Sequence, residues 1–333
     1  MKNKKKLGLF IVIALVVVVG VIIFCLLMKQ PETLSTEYSE NEQQENEQED
    51  TIVHNGKEYR YNNHLSNYLF MGIDTRDDVS TYETQADAGQ ADAIYLVSYD
   101  RVECTITCIA IPRDTLTSIH VYGVDGTDMG TTVDHINLQY AFGDGKKQSC
   151  LLMEESVSNM LYGIPIQGYY SMNMDGISVA IGALGSVEVV VPDDSWSKID
   201  DTYQKGTTVT ITGENAERLV RYRDTKEDQS AIERMNRQKV LVRAIAAEAQ
   251  KQVAKDAGVI VDIQDVLKPY TVTNIGNDVF AKLAEAKLDS ATAMIDVPGT
   301  GVAGTDFDEY HIDEDALYEL ILELFYEEVP GEE

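Results

Sequence analysis

The chain is short of bases. Its 333 residues hold 27 Lys and Arg against 56 Asp and Glu, a formal charge of −29. Five of the Lys (2, 4, 5, 6 and 29) come before residue 30, where there is no acid, so the rest carries 22 bases against 56 acids, or −34. Such a body is a poor general binder of nucleic acid, because neutralising phosphates needs an excess of Lys and Arg. A small anion held by a local cationic cluster is still allowed. Cysteine is scarce too, and four of them exclude a disulfide scaffold. None of the Cys has zinc-site spacing. Cys104 and Cys108 lie in one strand-like run, ~13 Å apart and too far for a bridge. They read as buried small apolar residues, and a bridge from Cys150 to one of them stays open. No internal repeat is present. What the chain has in quantity is apolar material, 44% of residues, which excludes wholesale disorder. The length suits one large domain or two ordinary ones.

One stretch, 7–28, has no charge at all: LGLFIVIALVVVVGVIIFCLLM, 22 residues. As a helix it spans roughly 33 Å, enough for the hydrocarbon core of a bilayer. Four Lys before it and one after predict a cytoplasmic tail at 1–6 and everything beyond the span outside. The expected location is the cell membrane, single-pass type II. A cleaved signal peptide is the alternative, but the run is longer than a usual signal core and no A-x-A-like site follows. Residues 31–50 then carry eight acids and no base. So polar a segment cannot offset the entropy of ordering, so 29–51 reads as a self-repelling, disordered linker. That leaves −26 on residues 51–333, the functional part.

From 66 to 191 strand-like and helix-like segments alternate. SNYLFMGID (66–74), ADAIYLVSYD (91–100), ECTITCIAIP (103–112), YYSMNM (169–174) and VEVVV (187–191) are strand candidates. The second and third suit a hairpin. SCLLMEESVSNMLYG (149–163) has helical spacing, and Asp175 is placed to cap a short helix through Leu184. TTVTIT (207–212) is another strand, followed by a helix from Gly213 and a long amphipathic helix from about Ala231 to Lys255. Helix candidates at 277–287 and 313–328 and a strand at 291–297 complete the chain. This order predicts a layered α/β sheet domain with helices covering both faces.

The arginines are the informative residues. Six of ten fall between 218 and 243: Arg218, Arg221, Arg223, Arg234, Arg237 and Arg243. The planar guanidinium fork suits phosphate. Arg221 and Arg223 can clamp one anion only where the helix has ended, which Asp224 and Thr225 favour. Arg234, Arg237 and Gln238 share one helical face, to bind a ligand or to form a solvated face with pairs such as Glu233–Arg237. Asp74 and Asp92 stand at strand ends, where α/β sheets bind ligands. Facing a phosphate they are natural Mg²⁺ ligands; by themselves they are also ordinary turn residues. Arg113 and Asp114 end a third strand.

At these residues the chain resembles the LytR–CpsA–Psr family of cell-wall glycopolymer ligases. The matching pieces run in order: GIDTR (72–76), ADA around Asp92, SYD, IPRDT (111–115), HINLQYAFGDG (135–145), LGSVEVVV (184–191), and ITGENAERLVRYRD through ERMNRQ (211–238). They cover roughly 66–245, leaving 246–333 as a C-terminal extension of an extracellular catalytic domain at 52–333. The resemblance implies a membrane-anchored phosphotransferase whose α/β fold is a mixed β-sheet sandwiched between helices. It would move an anionic glycopolymer from an undecaprenyl-pyrophosphate carrier to peptidoglycan, at a muramic acid hydroxyl, with an apolar pocket for the polyprenyl chain; the alternatives are a non-catalytic wall-polymer or lipid-carrier binding regulator and a pyrophosphate hydrolase on the same fold. It also implies Mg²⁺ or Mn²⁺ on Asp74 and Asp92. Arg113, Arg221, Arg223 and Gln238 would hold the pyrophosphate, helped by Arg76 and Arg234; Asp74, Asp92, Arg113 and Arg223 would be catalytic. His135 stands where the family usually has Lys.

Overall fold

The computed structural model describes residues 51–223, 230–253, 258–276, 278–279, 282–283, 286–288, 294–305 and 307–330. The expected membrane span, the acidic linker up to residue 50, Asp224 and five of the eleven residues of the expected 277–287 helix lie outside these residues. Among the described residues no helix is long and apolar enough to cross a membrane. The described residues begin at Thr51, the last residue of the expected linker, which lies in a strand. There β1 (Thr51–His54) pairs with β2 (Lys57–Tyr61), and β16 (Tyr326–Glu328) joins the other edge of β2.

The central sheet is mixed, as expected. β3 (Leu65–Ile73) runs antiparallel to β4 (Ala91–Asp100) and parallel to β8 (Gly168–Asn173). β4 forms the expected hairpin with β5 (Thr105–Ile111). Edge positions go to β11 (Thr271–Thr273) beside β8, and to β12 (Lys287–Leu288) and β13 (Ile295–Asp296) beside β5. Side chains alternate across the strands. Tyr68 and Phe70 of β3, with Tyr95 and Val97 of β4, face one apolar layer; Leu69, Met71, Ile94 and Leu96 face the other. Burial on both faces is why these strands read as unbroken apolar runs.

The first layer holds α2 (Met174–Leu184), α3 (Gly213–Arg221), α4 (Ser230–Val253) and α5 (Gly258–Leu267), through Ile181, Leu219, Leu241 and Ile263. The small pair β9 (Val187–Val190) and β10 (Thr208–Ile211) sits with them. The second layer holds α1 (Lys147–Met160) and α6 (Glu314–Phe325), through Met153, Val157, Ile321 and Phe325. Asn173, not Asp175, caps α2, its side chain accepting from the Gly176 N–H. Asp175 instead turns outward to Arg76. Cys104, Cys108 and Cys150 are free thiols, so the bridge left open from Cys150 is not formed. Two hairpins were not foreseen: β6 (Leu116–Tyr122) with β7 (Asp128–His135), and β14 (Gly299–Ala303) with β15 (Asp308–Ile312). Both flank the ends of β4 and β5, where the charged residues gather.

Candidate active site

The site forms where β3, β4 and β5 end. β3 closes on a bulge at Gly72 and Ile73 and delivers Asp74. The Asp74 N–H donates to the Gln90 carbonyl at 3.0 Å, and the Gln90 N–H returns to the Asp74 carboxylate at 2.7 Å. Gly89, at φ +70°, makes this possible. A Cβ there would lie 2.7 Å from Asp74 Oδ1 and 2.3 Å from Thr75 Cγ2. Beyond Asp74 the chain is pinned by the Tyr82 hydroxyl, which donates to Thr75 and to the Arg76 carbonyl.

Asp92, the second residue of β4, holds two arginines. Arg113 contacts its Oδ1 and Arg234 lies 3.1 Å from its Oδ2. Pro112 ends β5 by opening a turn in which the Thr115 N–H and hydroxyl both reach the Pro112 carbonyl. That turn aims Arg113 back at the strand ends, where it also reaches Asp114 at 3.0 Å and Gln90 at 3.3 Å. Arg234 is buried, at 7% exposure. Burial pulls its pKa down; Asp92 opposes this, and the nearby Arg113 and Arg223 add to it. The Asp74 carboxyl is pushed up, first by loss of water and then by the Asp92 carboxylate, against the Gln90 N–H and Arg113. Two carboxylates and three guanidinium groups therefore feel one another directly.

Arg223 completes the cluster after α3 has ended. Its Nε donates to Ser230 at 2.8 Å and its Nη2 to Asp308 at 2.9 Å. Arg221 does not join it. It stays on the last turn of α3, pairs with Glu217 at 3.0 Å, and has a side chain 57% exposed. Glu217 also binds Arg76, which reaches Asp175 at 3.1 Å, so Arg76 and Arg221 form a separate bridge. One clamp by Arg221 and Arg223 is thus not what the fold builds. Gln238 lies one turn beyond Arg234, its amide donating to the Val220 carbonyl at 3.4 Å. Arg237 leaves the expected shared face: it bonds the Tyr222 carbonyl and lies over the Tyr222 ring. His135 sits between the Asp134 carboxylate, at 2.8 Å, and the Asp308 carbonyl, at 2.9 Å.

Several participants escaped the sequence reading. Gln90 ties Asp74, Arg113 and Asn137 together; its only signal was its place two residues before Asp92. Asp308 comes from the C-terminal extension, 85 residues from its partner Arg223, and no local pattern could have shown it. Formally the cluster holds three Arg (113, 223, 234) against four Asp (74, 92, 114, 308), so it offers an anion no net positive charge. Three buried polar atoms here, Asn137 Oδ1, Arg234 Nη2 and Gln238 Oε1, have no partner among the described residues. Below the cluster a narrow apolar cleft of about 60 Å³ opens between the sheet, α2 and α4. Asp92 and Gln238 stand at its polar end, while Met71, Met172, Ile177 and Leu241 are among its apolar walls.

This combination of arginines and strand-end carboxylates over an apolar cleft can hold a phosphate-bearing ligand with a greasy tail. A model of the LytR_cpsA_psr family matches residues 26–324. The chain belongs to that family. Two curated members align with parts of it. One, from Halalkalibacterium halodurans, is named polyisoprenyl-teichoic acid–peptidoglycan teichoic acid transferase TagU. It is 32% identical over 197 residues, 58% of this chain and 57% of the relative. The transferase named TagV, from Bacillus subtilis, is 30% identical over 183 residues, 53% of this chain and 42% of the relative. The matched part is about half the length of these relatives. The crystal structure of B. subtilis TagV shares the fold, with a TM-score of 0.57 at 24% identity over 79% of this chain and 97% of that one.

Proposed function

We propose that the chain is a phosphotransferase that moves an anionic glycopolymer from an undecaprenyl-pyrophosphate carrier to peptidoglycan. The observation that carries this is the junction at Asp92 and Gln238, where the arginine cluster meets the mouth of the apolar cleft. A pyrophosphate at the cluster would place its polyprenyl chain in that cleft. The names of the TagU and TagV relatives support the same reading.

In this reading a muramic acid hydroxyl oxygen attacks the phosphorus that bears the glycopolymer. The new P–O bond forms as the bond to the bridging oxygen breaks, polyprenyl phosphate leaves, and the hydroxyl proton passes to solvent. Phosphoryl transfer rests on positioning and charge neutralisation. Arg113, Arg223 and Arg234 hold the pyrophosphate oxygens, with the unpaired Arg234 Nη2 donor pointing to a missing acceptor. Arg76 and Arg221 guide the ligand at the rim, and Gln238 binds where phosphate passes into lipid. Because four carboxylates outnumber three guanidinium groups, an anionic ligand needs a further cation. Asp74 and Asp92 would hold Mg²⁺ or Mn²⁺, which supplies charge neutralisation when bound. Asp74 suits that role, since burial first and then the neighbouring Asp92 carboxylate raise its pKa, and a bound cation would offset both.

The run at 7–28 serves as the membrane anchor and 29–50 as the tether, with the domain facing the cell wall. Protease added to intact protoplasts then releases a soluble fragment that starts within the tether; complete protection refutes this topology. The activity is tested with the full chain in nanodiscs, a short polyprenyl-pyrophosphate glycan and a peptidoglycan oligomer. A phosphodiester-linked product is expected. Release of free glycan phosphate alone, with the oligomer present, makes the protein a hydrolase instead.

A further inference from the structure

Buried polar atoms seldom go unpaired, and each exception asks for an explanation. Among the described residues nine such side-chain atoms lack a partner, and six of them fall into two groups. The first group, Asn137, Arg234 and Gln238, surrounds the site already described. The second, Trp196 Nε1, Arg237 Nε and Arg243 Nε, borders a different cleft. This cleft lies between the loop after β9 and the outer side of α4, and holds about 470 Å³. That is within the range of ordinary ligand sites, about 300–1,000 Å³. Trp196 is fully buried and Arg237 is 2% exposed, so bulk water does not readily satisfy them.

The chemistry of the lining narrows the occupant. All three unpaired atoms are N–H donors, so the ligand brings acceptors. Three cations, Arg237, Lys239 and Arg243, are matched by three carboxylates, Asp193, Glu233 and Asp296. Lys239 already pairs with Asp296. The lining is therefore formally neutral, within a domain of −26, and does not select a polyanion. Val240 and Met294 add apolar surface. Paired donors and acceptors beside small apolar patches fit the hydroxyl and amide groups of sugar rings. The cleft also leads to the site. Asp296 borders both it and a neighbouring groove that includes Pro112 and Tyr310. Pro112 precedes Arg113, and the Tyr310 N–H donates to the Asp114 carbonyl at 2.8 Å.

We propose that this cleft is a carbohydrate subsite that seats uncharged pyranose rings of a glycan strand and leads the strand toward Arg113. Its place in catalysis rests on the phosphotransferase reading; its binding of sugar does not. The glycan can be the acceptor strand or the sugar end of the lipid-linked donor, which share this chemistry.

Trp196 is the only tryptophan in the chain, so its fluorescence reports on the cleft directly. The full chain in nanodiscs is titrated with chitotetraose, an uncharged glycan. A saturable change in emission is expected, with Kd raised at least tenfold by Arg243→Gln and at least threefold by Asn236→Ala. Asn236 is exposed, so the second variant keeps the measurement informative if the first fails to fold. Competition by the peptidoglycan oligomer assigns the cleft to the acceptor; competition by the lipid-linked donor assigns it to the donor. No saturable change, or unaltered Kd in both variants, overturns the proposal. Failure of the phosphotransferase reading shows separately, as absent donor cleavage with the fluorescence titration intact.

Discussion

Asp92→Asn tests how the arginines are held. Asp92 separates Arg113 from Arg234, and the three side chains are 14%, 19% and 9% exposed. Asn keeps the shape and one acceptor but removes the carboxylate that forms an ion pair with both arginines. Breaking a buried charged pair costs about 3–5 kcal/mol. The retained neutral hydrogen bonds place this variant at the low end, about 3 kcal/mol. For a domain of this size that lowers Tm by about 6–12 °C. Inorganic pyrophosphate supplies the missing negative charge, and a ligand at about a hundred times its Kd adds about 2.7 kcal/mol. Without Mg²⁺, pyrophosphate therefore raises the Tm of Asp92→Asn more than that of wild type; with Mg²⁺ the order reverses, because the metal has lost a ligand. The assay is thermal unfolding of the full chain in detergent, with and without each addition. A variant Tm within 2 °C of wild type, or equal pyrophosphate shifts without Mg²⁺, refutes the reasoning.

Other outcomes follow from single contacts. Arg223 spends its fork on Ser230 and Asp308, so Arg223→Lys should lose about one to two decades in transfer rate, nearly as much as Arg223→Ala; wild-type turnover by the Lys variant points to general basicity. Gly89→Ala drives a methyl into Asp74 and Thr75 at a positive φ; it should weaken Mg²⁺-dependent pyrophosphate binding by titration calorimetry, and unchanged binding contradicts the support assigned to Gly89. Glu154 on α1 is pushed by burial from 4.5 to about 7. Both states are protonated below pH 4.5; above it the unfolded chain ionises first, so stability is lost as pH rises through this window and the loss levels off above 7. Since Glu154 is only half-buried, Glu154→Gln should stabilise by on the order of 1–2 kcal/mol at pH 8 and by nothing at pH 4 in urea titrations; an equal gain at both pH values removes the burial argument.

Where sequence reading succeeded, one strong local signal sufficed. The sequence predicts β4 with its observed bounds because Ala91–Asp100 is apolar on both faces and ends at the charged pair Asp100 and Arg101. Asp74, Asp92 and Arg113, which the structure brings close together, stand out in the sequence because strand ends announce themselves by a change from apolar to charged residues. Where it failed, the deciding contact came from outside the motif. Arg221 and Arg223 look like a pair in RYR, yet Glu217 one turn back takes one and Asp308 in the C-terminal hairpin takes the other. Arg237 shares a helical spacing with Arg234, but the Tyr222 carbonyl, left without an intrahelical partner beyond α3, captures it. The β6–β7 hairpin escaped because its burial is slight: most of Asp128–His135 is exposed and shows no apolar alternation.

The central claim is transfer from a lipid-linked donor to a glycan hydroxyl, and the direct measurement is the fate of phosphorus. The full chain in nanodiscs is given Mg²⁺, a polyprenyl-pyrophosphate glycan labelled with ³²P on the sugar-proximal phosphate, and a peptidoglycan oligomer. The account predicts label in a phosphodiester joining the two glycans, with unlabelled polyprenyl phosphate released in equal amount. Label that stays with the lipid, or appears only as a free glycan phosphate monoester, contradicts it.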